Sequence, residues 1–153
     1  MATRVVVVVS CNLGLGKSSV SREFARLSGF ELIVGDDIRH SKFKHVAAPE
    51  AWRLTWREIA RRVRSSKRSV VVDYLGDDGD LAGRAQLAGV KAVGFWLQVS
   101  RRKLLSRRPK DAKRINEVCR SKHDDYRLVR CGGTPPRVLA RRILARVARF
   151  RVV

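Results

Sequence analysis

Five consecutive valines, Val5 to Val9, run directly into Ser10-Cys11-Asn12-Leu13-Gly14-Leu15-Gly16-Lys17-Ser18-Ser19. An unbroken β-branched run reads as a strand buried on both faces, the habit of a parallel sheet. A glycine-containing turn follows, and Ser18 to Leu27 reads as the start of a helix. Strand, turn and helix in that order are the setting of a phosphate-binding loop, where successive backbone N–H groups and the helix N-terminus surround phosphates. Asn12, Leu13, Gly14, Leu15, Gly16, Lys17, Ser18 and Ser19 are the candidate cradle. In such a loop Lys17 would reach the β- and γ-phosphate oxygens, and the Ser18 hydroxyl would hold Mg²⁺. Cys11 stands where the pattern G-x-x-x-x-G-K-[ST] has its first glycine.

The same edge of the sheet gathers carboxylates. Gly29 ends the first helix, and Glu31–Val34 reads as a second short strand. Gly35-Asp36-Asp37-Ile38-Arg39 leads out of its carboxyl end. Ser69–Val72 is a third strand, with Asp73 at its end. Ligands of open α/β sheets bind outside the carboxyl ends of the strands, so Asp36, Asp37 and Asp73 share an address with the phosphate loop. Either Asp36 or Asp37 can instead serve as the cap of a following helix.

Further along, Pro49 marks a helix start. Trp52, Trp56, Ile59 and Val63 form its apolar face, beside a basic stripe of Arg53, Arg57, Arg61 and Arg64. The spacing assigns the tryptophans to packing; the arginines are either solvated or track a phosphate backbone. Gly76-Asp77-Asp78-Gly79-Asp80 is an acidic loop that caps a short helix around 81–87, and it lacks the downstream glutamate of an EF-hand. Ala92–Val99 is a fourth strand. A cationic helix from Arg101 to about Arg108 is broken by Pro109, and further helices span 112–125 and 137–150, with a turn at Cys131–Pro136. No repeat, linker or second domain interrupts this alternation. It predicts one domain over residues 1–153, a three-layer α/β fold with a parallel sheet of about four to five strands and a short helical lid.

The chain has 153 residues, with 34 Lys/Arg against 14 Asp/Glu, a net charge of +20. Residues 1–52 hold seven basic and five acidic side chains, and residues 53–153 hold 27 and 9, so the excess lies almost wholly in the second part. Such a field draws polyanions. No apolar run reaches bilayer length, so no membrane partner is expected, and the reading is cytoplasmic. Cys11, Cys119 and Cys131 fit neither a disulfide framework nor a metal site and read as reduced, packed thiols. His40, His45 and His123 lack ligand spacing.

A phosphate loop joined to a carboxylate at the end of the second strand suits phosphoryl transfer, with that carboxylate taking the proton of the attacking hydroxyl. Gly14-x-Gly16-Lys17-Ser18, Arg22-Glu23-Phe24, Gly29-Phe30 and Asp36-Asp37-Ile38-Arg39, the last close to Asp-Asp-Tyr-Arg, together resemble the kinase domain of the bacteriophage-type 5′-polynucleotide kinases, a branch of the P-loop kinases. Val70-Val71-Val72-Asp73 is similar to the third-strand signature of that family. Arg120-Ser121 and Gly133-Thr134-Pro135 look like the end of its kinase domain.

The resemblance implies ATP (or GTP) and Mg²⁺ as cofactors, with Lys17 and Ser18 on the phosphates and metal. It implies Asp36 as general base, Arg39 on a substrate phosphate, and Arg107 or Arg108 as the lid arginine. Asp73 would help position substrate or metal-bound water, and Asp37 and Arg84 complete the expected substrate-binding set. If the chain is phage-encoded, its location is the host cytoplasm. Tyr74-Leu75 replace the family's Thr-Asn, which marks a different substrate pocket, and Asp111 falls near the place of a second lid arginine.

Four functions follow from these residues. The leading expectation is phosphoryl transfer to the 5′-OH of DNA or RNA, with nucleic acid as the partner held by the basic region. The alternatives are a kinase of hydroxymethylated bases within DNA, a kinase of a small molecule or nucleoside, and a non-catalytic nucleic-acid-binding module on the same scaffold.

Overall fold

The computed structural model describes residues 4–11, 17–48, 50–74, 91–120 and 126–152, the side chains at 17, 117–120, 151 and 152 aside. In chain order the elements are β1 (Val5–Cys11), α1 (Lys17–Ser28), β2 (Glu31–Val34), α2 (Gly35–Lys42) and α3 (Glu50–Ser65). They are followed by β3 (Val70–Asp73), β4 (Lys91–Gln98), α4 (Arg101–Arg107), a 3₁₀ turn at Pro109–Asp111, α5 (Ala112–Arg120), β5 (Tyr126–Arg130) and α6 (Pro136–Val152).

The valine run is the centre of the molecule. The sheet order is β2-β3-β1-β4-β5, and every pairing is parallel. Because strand side chains alternate, Val5, Val7, Val9 and Cys11 join one core and Val6 and Val8 the other. The first core holds Val20 and Phe24 of α1 and Leu139, Ile143 and Val147 of α6. The second holds Ile38 of α2, Ile59 and Val63 of α3, and Tyr74. Helices therefore cover both faces, and β1 is buried along its whole length. A third small cluster of Val99, Leu104 and Ile115 joins α4 to α5, the stretch expected to form the lid.

Local chemistry sets most boundaries. Gly29 takes φ 73°, and its amide donates to the Ala25 carbonyl at 2.9 Å, closing α1 as the sequence predicts. Ser100 caps α4 by accepting from the Lys103 amide. Trp52 and Trp56 pack half-buried on the second core, in line with their spacing.

Tyr126–Arg130 is the fifth strand, within the expected four to five, in a stretch whose residues alone do not mark a strand. It lies at the sheet edge, and Arg127, Leu128 and Arg130 are exposed, so it lacks the apolar run that marked its neighbours. Arg146 of α6 donates to its Leu128 carbonyl at 2.9 Å. Of the two readings open for Asp36 and Asp37, capping of α2 does not apply. Val34 is the N-cap residue of α2 and no side chain caps that helix. The carboxylates instead sit in its first turn, where the helix dipole favours negative charge. The acidic loop at 76–80, the helix expected near 81–87 and residues 121–125 of the expected 112–125 helix lie outside the described residues.

Candidate active site

Strand register brings the acidic residues together. Asp73 ends β3 between two neighbours, paired with Val9 of β1 on one side and Val34 of β2 on the other. Asp36 follows Val34 by two residues, so the chain ends of β2 and β3 present both carboxylates on the edge where α1 begins at Lys17. Asp73 is 1 % exposed, Asp36 half-buried and Asp37 exposed. Ser18 and Ser19 are exposed in the first turn of α1. Asn12, Leu13, Gly14, Leu15, Gly16 and Arg84 lie outside the described residues.

Tyr74 organises the β2–β3 side of this edge. Its amide donates to the Val9 carbonyl at 3.3 Å, tying the end of β3 to β1. Its fully buried ring packs against Trp52 and Trp56, with centroids 5.2 and 5.0 Å away. The ring also lies against the backbone of Gly35: a Cβ there would stand 2.1 Å from Cδ2. Glycine opens α2 because only a residue without a side chain lets the ring pass. Tyr74 thus links α3 to the start of α2.

Arg39 completes this side. Its guanidinium lies over the Trp52 ring, 4.6 Å from the centroid, one turn along α2 from Asp36. A cation seated on an aromatic face keeps its N–H fork for an anion. Below it, Glu58 of α3 joins the two helices. It receives Arg61 at 2.6 Å, Lys42 of α2 at 3.1 Å and Arg62 at 3.1 Å. The hydrogen bond from Arg61, then those from Lys42 and Arg62, hold its carboxyl far below the usual carboxylate range. Arg53 is bound in turn by Glu50 at 2.5 Å. The basic stripe of α3 is therefore partly neutralised by its own helix.

On the other side of β1, Lys103 and Arg107 of α4 line a cavity of about 270 Å³ with Val20, Val99, Gly133 and Thr134. Val20 and Lys103 lie in the first turns of α1 and α4, Val99, Gly133 and Thr134 follow the ends of β4 and β5, and Arg107 closes α4. The two lid candidates separate here. Arg107 faces the cavity, while the Arg108 guanidinium points to Asp111 at 4.0 Å. Sequence reasoning missed Val20, Lys103 and Thr134. Recognising β5 would have placed Gly133-Thr134-Pro135 just past a strand, on the ligand edge.

Cys131 touches this cavity. Burial, with Cys11 nearby, pushes its thiol up to about 11, so it stays protonated near neutrality and reads as a packing group. Cys11 is itself buried in the first core. Among the described residues no group of three or more His, Cys, Asp or Glu could hold a metal by itself. Oxygen donors from one or two side chains, Ser18 and a carboxylate, suit Mg²⁺ that takes its remaining ligands from water and phosphate oxygens. No helix among the described residues is long and apolar enough to cross a membrane.

No family model and no curated protein sequence matches the chain. Solved structures do. A gluconokinase from Sinorhizobium meliloti superposes with a TM-score of 0.74 at 20% identity, covering 99% of this chain and 95% of its own. A shikimate kinase from Acinetobacter baumannii, solved with shikimate, gives 0.73 at 16% identity over 99% and 96%. The tunicamycin resistance protein of Deinococcus radiodurans gives 0.72 at 16% identity over 94% and 95%. The parallel five-stranded sheet, the helices on both its faces and the near-complete mutual coverage give this chain the α/β fold of the P-loop kinases.

Proposed function

We propose that the chain transfers the γ-phosphoryl group of ATP to a hydroxyl of a small anionic acceptor. One observation carries the reading: Asp73 is paired to Val9 and to Val34, so the edge that opens α1 with Lys17-Ser18 also carries Asp36 and Arg39. Donor-side and acceptor-side groups then flank β1. Lys17 and the amides of the Asn12–Ser19 segment bind the phosphates, and the cavity beside Val20, Val99 and Thr134 receives the nucleoside end. Ser18 would hold Mg²⁺, which would supply neutralisation of the phosphate charge.

Asp36 accepts the proton of the acceptor hydroxyl as its oxygen bonds to the γ-phosphorus. The bond to the β–γ bridging oxygen breaks, and ADP leaves. Arg107 offsets charge on the transferring group. Arg39, held on Trp52, takes an anionic group of the acceptor. A small acceptor agrees with the aromatic packing of Trp52, Trp56 and Tyr74 under that side. It also agrees with the shikimate and gluconate kinases among the structural neighbours.

A second reading keeps the same chemistry with the 5′-OH of a nucleic acid as acceptor, and the net charge of +20 favours it. A panel with γ-labelled ATP and Mg²⁺ separates the two. Its acceptors are shikimate, gluconate, nucleosides, 5′-hydroxyl oligonucleotides and hydroxymethyl-containing duplex with blocked ends. The expected result is label on a small acceptor, lost in Lys17→Ala and in Asp36→Asn. Label on oligonucleotide ends or duplex bases alone moves the assignment to nucleic acid. ATP binding without transfer to any acceptor overturns both.

A further inference from the structure

The edge of the sheet opposite the candidate active site carries a second basic feature. Lys91 opens β4, Arg127 is the second residue of β5, and Arg149 and Phe150 lie in the last turns of α6. With Ala92 they line an open groove of about 620 Å³. Two of the cations share one ring: Lys91 Nζ lies 5.9 Å and the Arg127 guanidinium carbon 5.7 Å from the Phe150 centroid. At ~3.3 Å per residue, β4 separates this groove from the catalytic edge by on the order of 20 Å. It belongs to neither the nucleotide side nor the acceptor side.

The charge here differs from that on α3. There Glu50 and Glu58 draw off Arg53, Arg61 and Arg62. At the groove, none of Lys91, Arg127 and Arg149 has a carboxylate partner among the described residues. Among the described residues, three elements thus converge like charges on one concave surface, a setting that suits an anion.

We infer that the Lys91–Arg127–Arg149–Phe150 groove binds single-stranded nucleic acid. Regularly spaced phosphates meet the three cations, and the Arg127 plane and the half-buried Phe150 ring give bases an apolar surface to stack on. A strand enters a concave groove, whereas an anionic membrane meets a flat or convex face bearing exposed apolar side chains. The excess of positive charge in residues 53–153 draws such a strand in.

The test is fluorescence anisotropy with labelled oligothymidine across a salt series. It uses the full chain and two triple variants of equal charge change. One is Lys91→Gln/Arg127→Gln/Arg149→Gln. The other is Arg57→Gln/Lys67→Gln/Arg68→Gln, on exposed positions of α3 and the turn before β3. The groove variant should lose more than about tenfold in affinity, with a salt slope shallower by about 2, and the control less than about threefold. Phosphoryl transfer to a small acceptor should be unchanged in the groove variant, which separates this surface from the catalytic proposal. Equal losses in the two variants, no oligothymidine binding by the parent chain, or binding only to phosphatidylserine vesicles would overturn it.

Discussion

Tyr74 occupies the space that any side chain at Gly35 would need, with its Cδ2 2.1 Å from the position of a Cβ there. Through this one contact the end of β3 sets where α2 begins, and with it the placement of Asp36 and Arg39. Gly35→Ala therefore acts against helix propensity. Alanine favours a helix by about 1 kcal/mol, yet here it must displace a fully buried ring. We expect a loss of about 2–3 kcal/mol, a fall in Tm of about 5–10 °C, by thermal circular dichroism. In Gly35→Ala/Tyr74→Leu the two changes should be non-additive, because the shorter side chain relieves the clash. Simple additivity would show that the contact does not control α2.

In the proposed reaction Arg39 holds the acceptor and Trp52 holds Arg39. Arg39→Ala should raise the acceptor KM by about ten- to a hundredfold with a smaller change in kcat, as expected for a charge-assisted contact of about 1.5–3 kcal/mol. Trp52→Leu should raise it by only about two- to fivefold, the scale of an exposed cation–π contact. A kcat loss with unchanged KM in Arg39→Ala would assign the residue to the reacting phosphoryl group instead.

The adjacent arginines of the lid should behave differently. Arg107 lines the cavity, and Arg108 is turned to Asp111. Steady-state kinetics should show kcat/KM reduced by at least about a hundredfold in Arg107→Ala, the scale of one lost transition-state donor. Arg108→Ala should stay within about threefold, since an exposed ion pair contributes little. Equal losses would mean that both guanidinium groups serve the phosphoryl group.

Glu58 gives the fold a pH dependence of known sign. Its folded-state carboxyl is depressed below the ordinary 4.5. Its contribution is therefore complete above about 4.5 and fades as the pH falls through the folded value. Its cationic partners are largely exposed, so Glu58→Gln should cost only about 1 kcal/mol at neutral pH. Urea titrations at falling pH should show the gap between parent and variant closing below about 4.5. A gap that widens in acid would contradict the pairing.

What could be read from the sequence follows from how local each cause is. The valine runs of β1 and β3 and the φ 73° glycine after α1 act within a few residues and were legible directly. The grouping of Asp36 with Asp73 was legible because parallel strands end on one edge. β5 was not, since its alternating, arginine-flanked residues match an exposed segment as well as an edge strand. The reason for Gly35 was hidden too, because it lies in a ring almost forty positions away. The choice between Arg107 and Arg108 depends on a pair with Asp111 and a cavity wall from the turn after β5, neither of which a charge count can show.

The bond from Arg146 to the Leu128 carbonyl has a consequence for solubility. A sheet built around five valines is the kind of segment that stacks with other chains when an edge is left open. On β5 a helix-borne guanidinium takes up a backbone acceptor, and Arg127 and Arg130 flank an otherwise inviting Leu128, 52 % exposed. A second strand would have to displace that guanidinium and line up beside like charges. The β5 edge of the valine-centred sheet is thereby closed to a second copy of the chain.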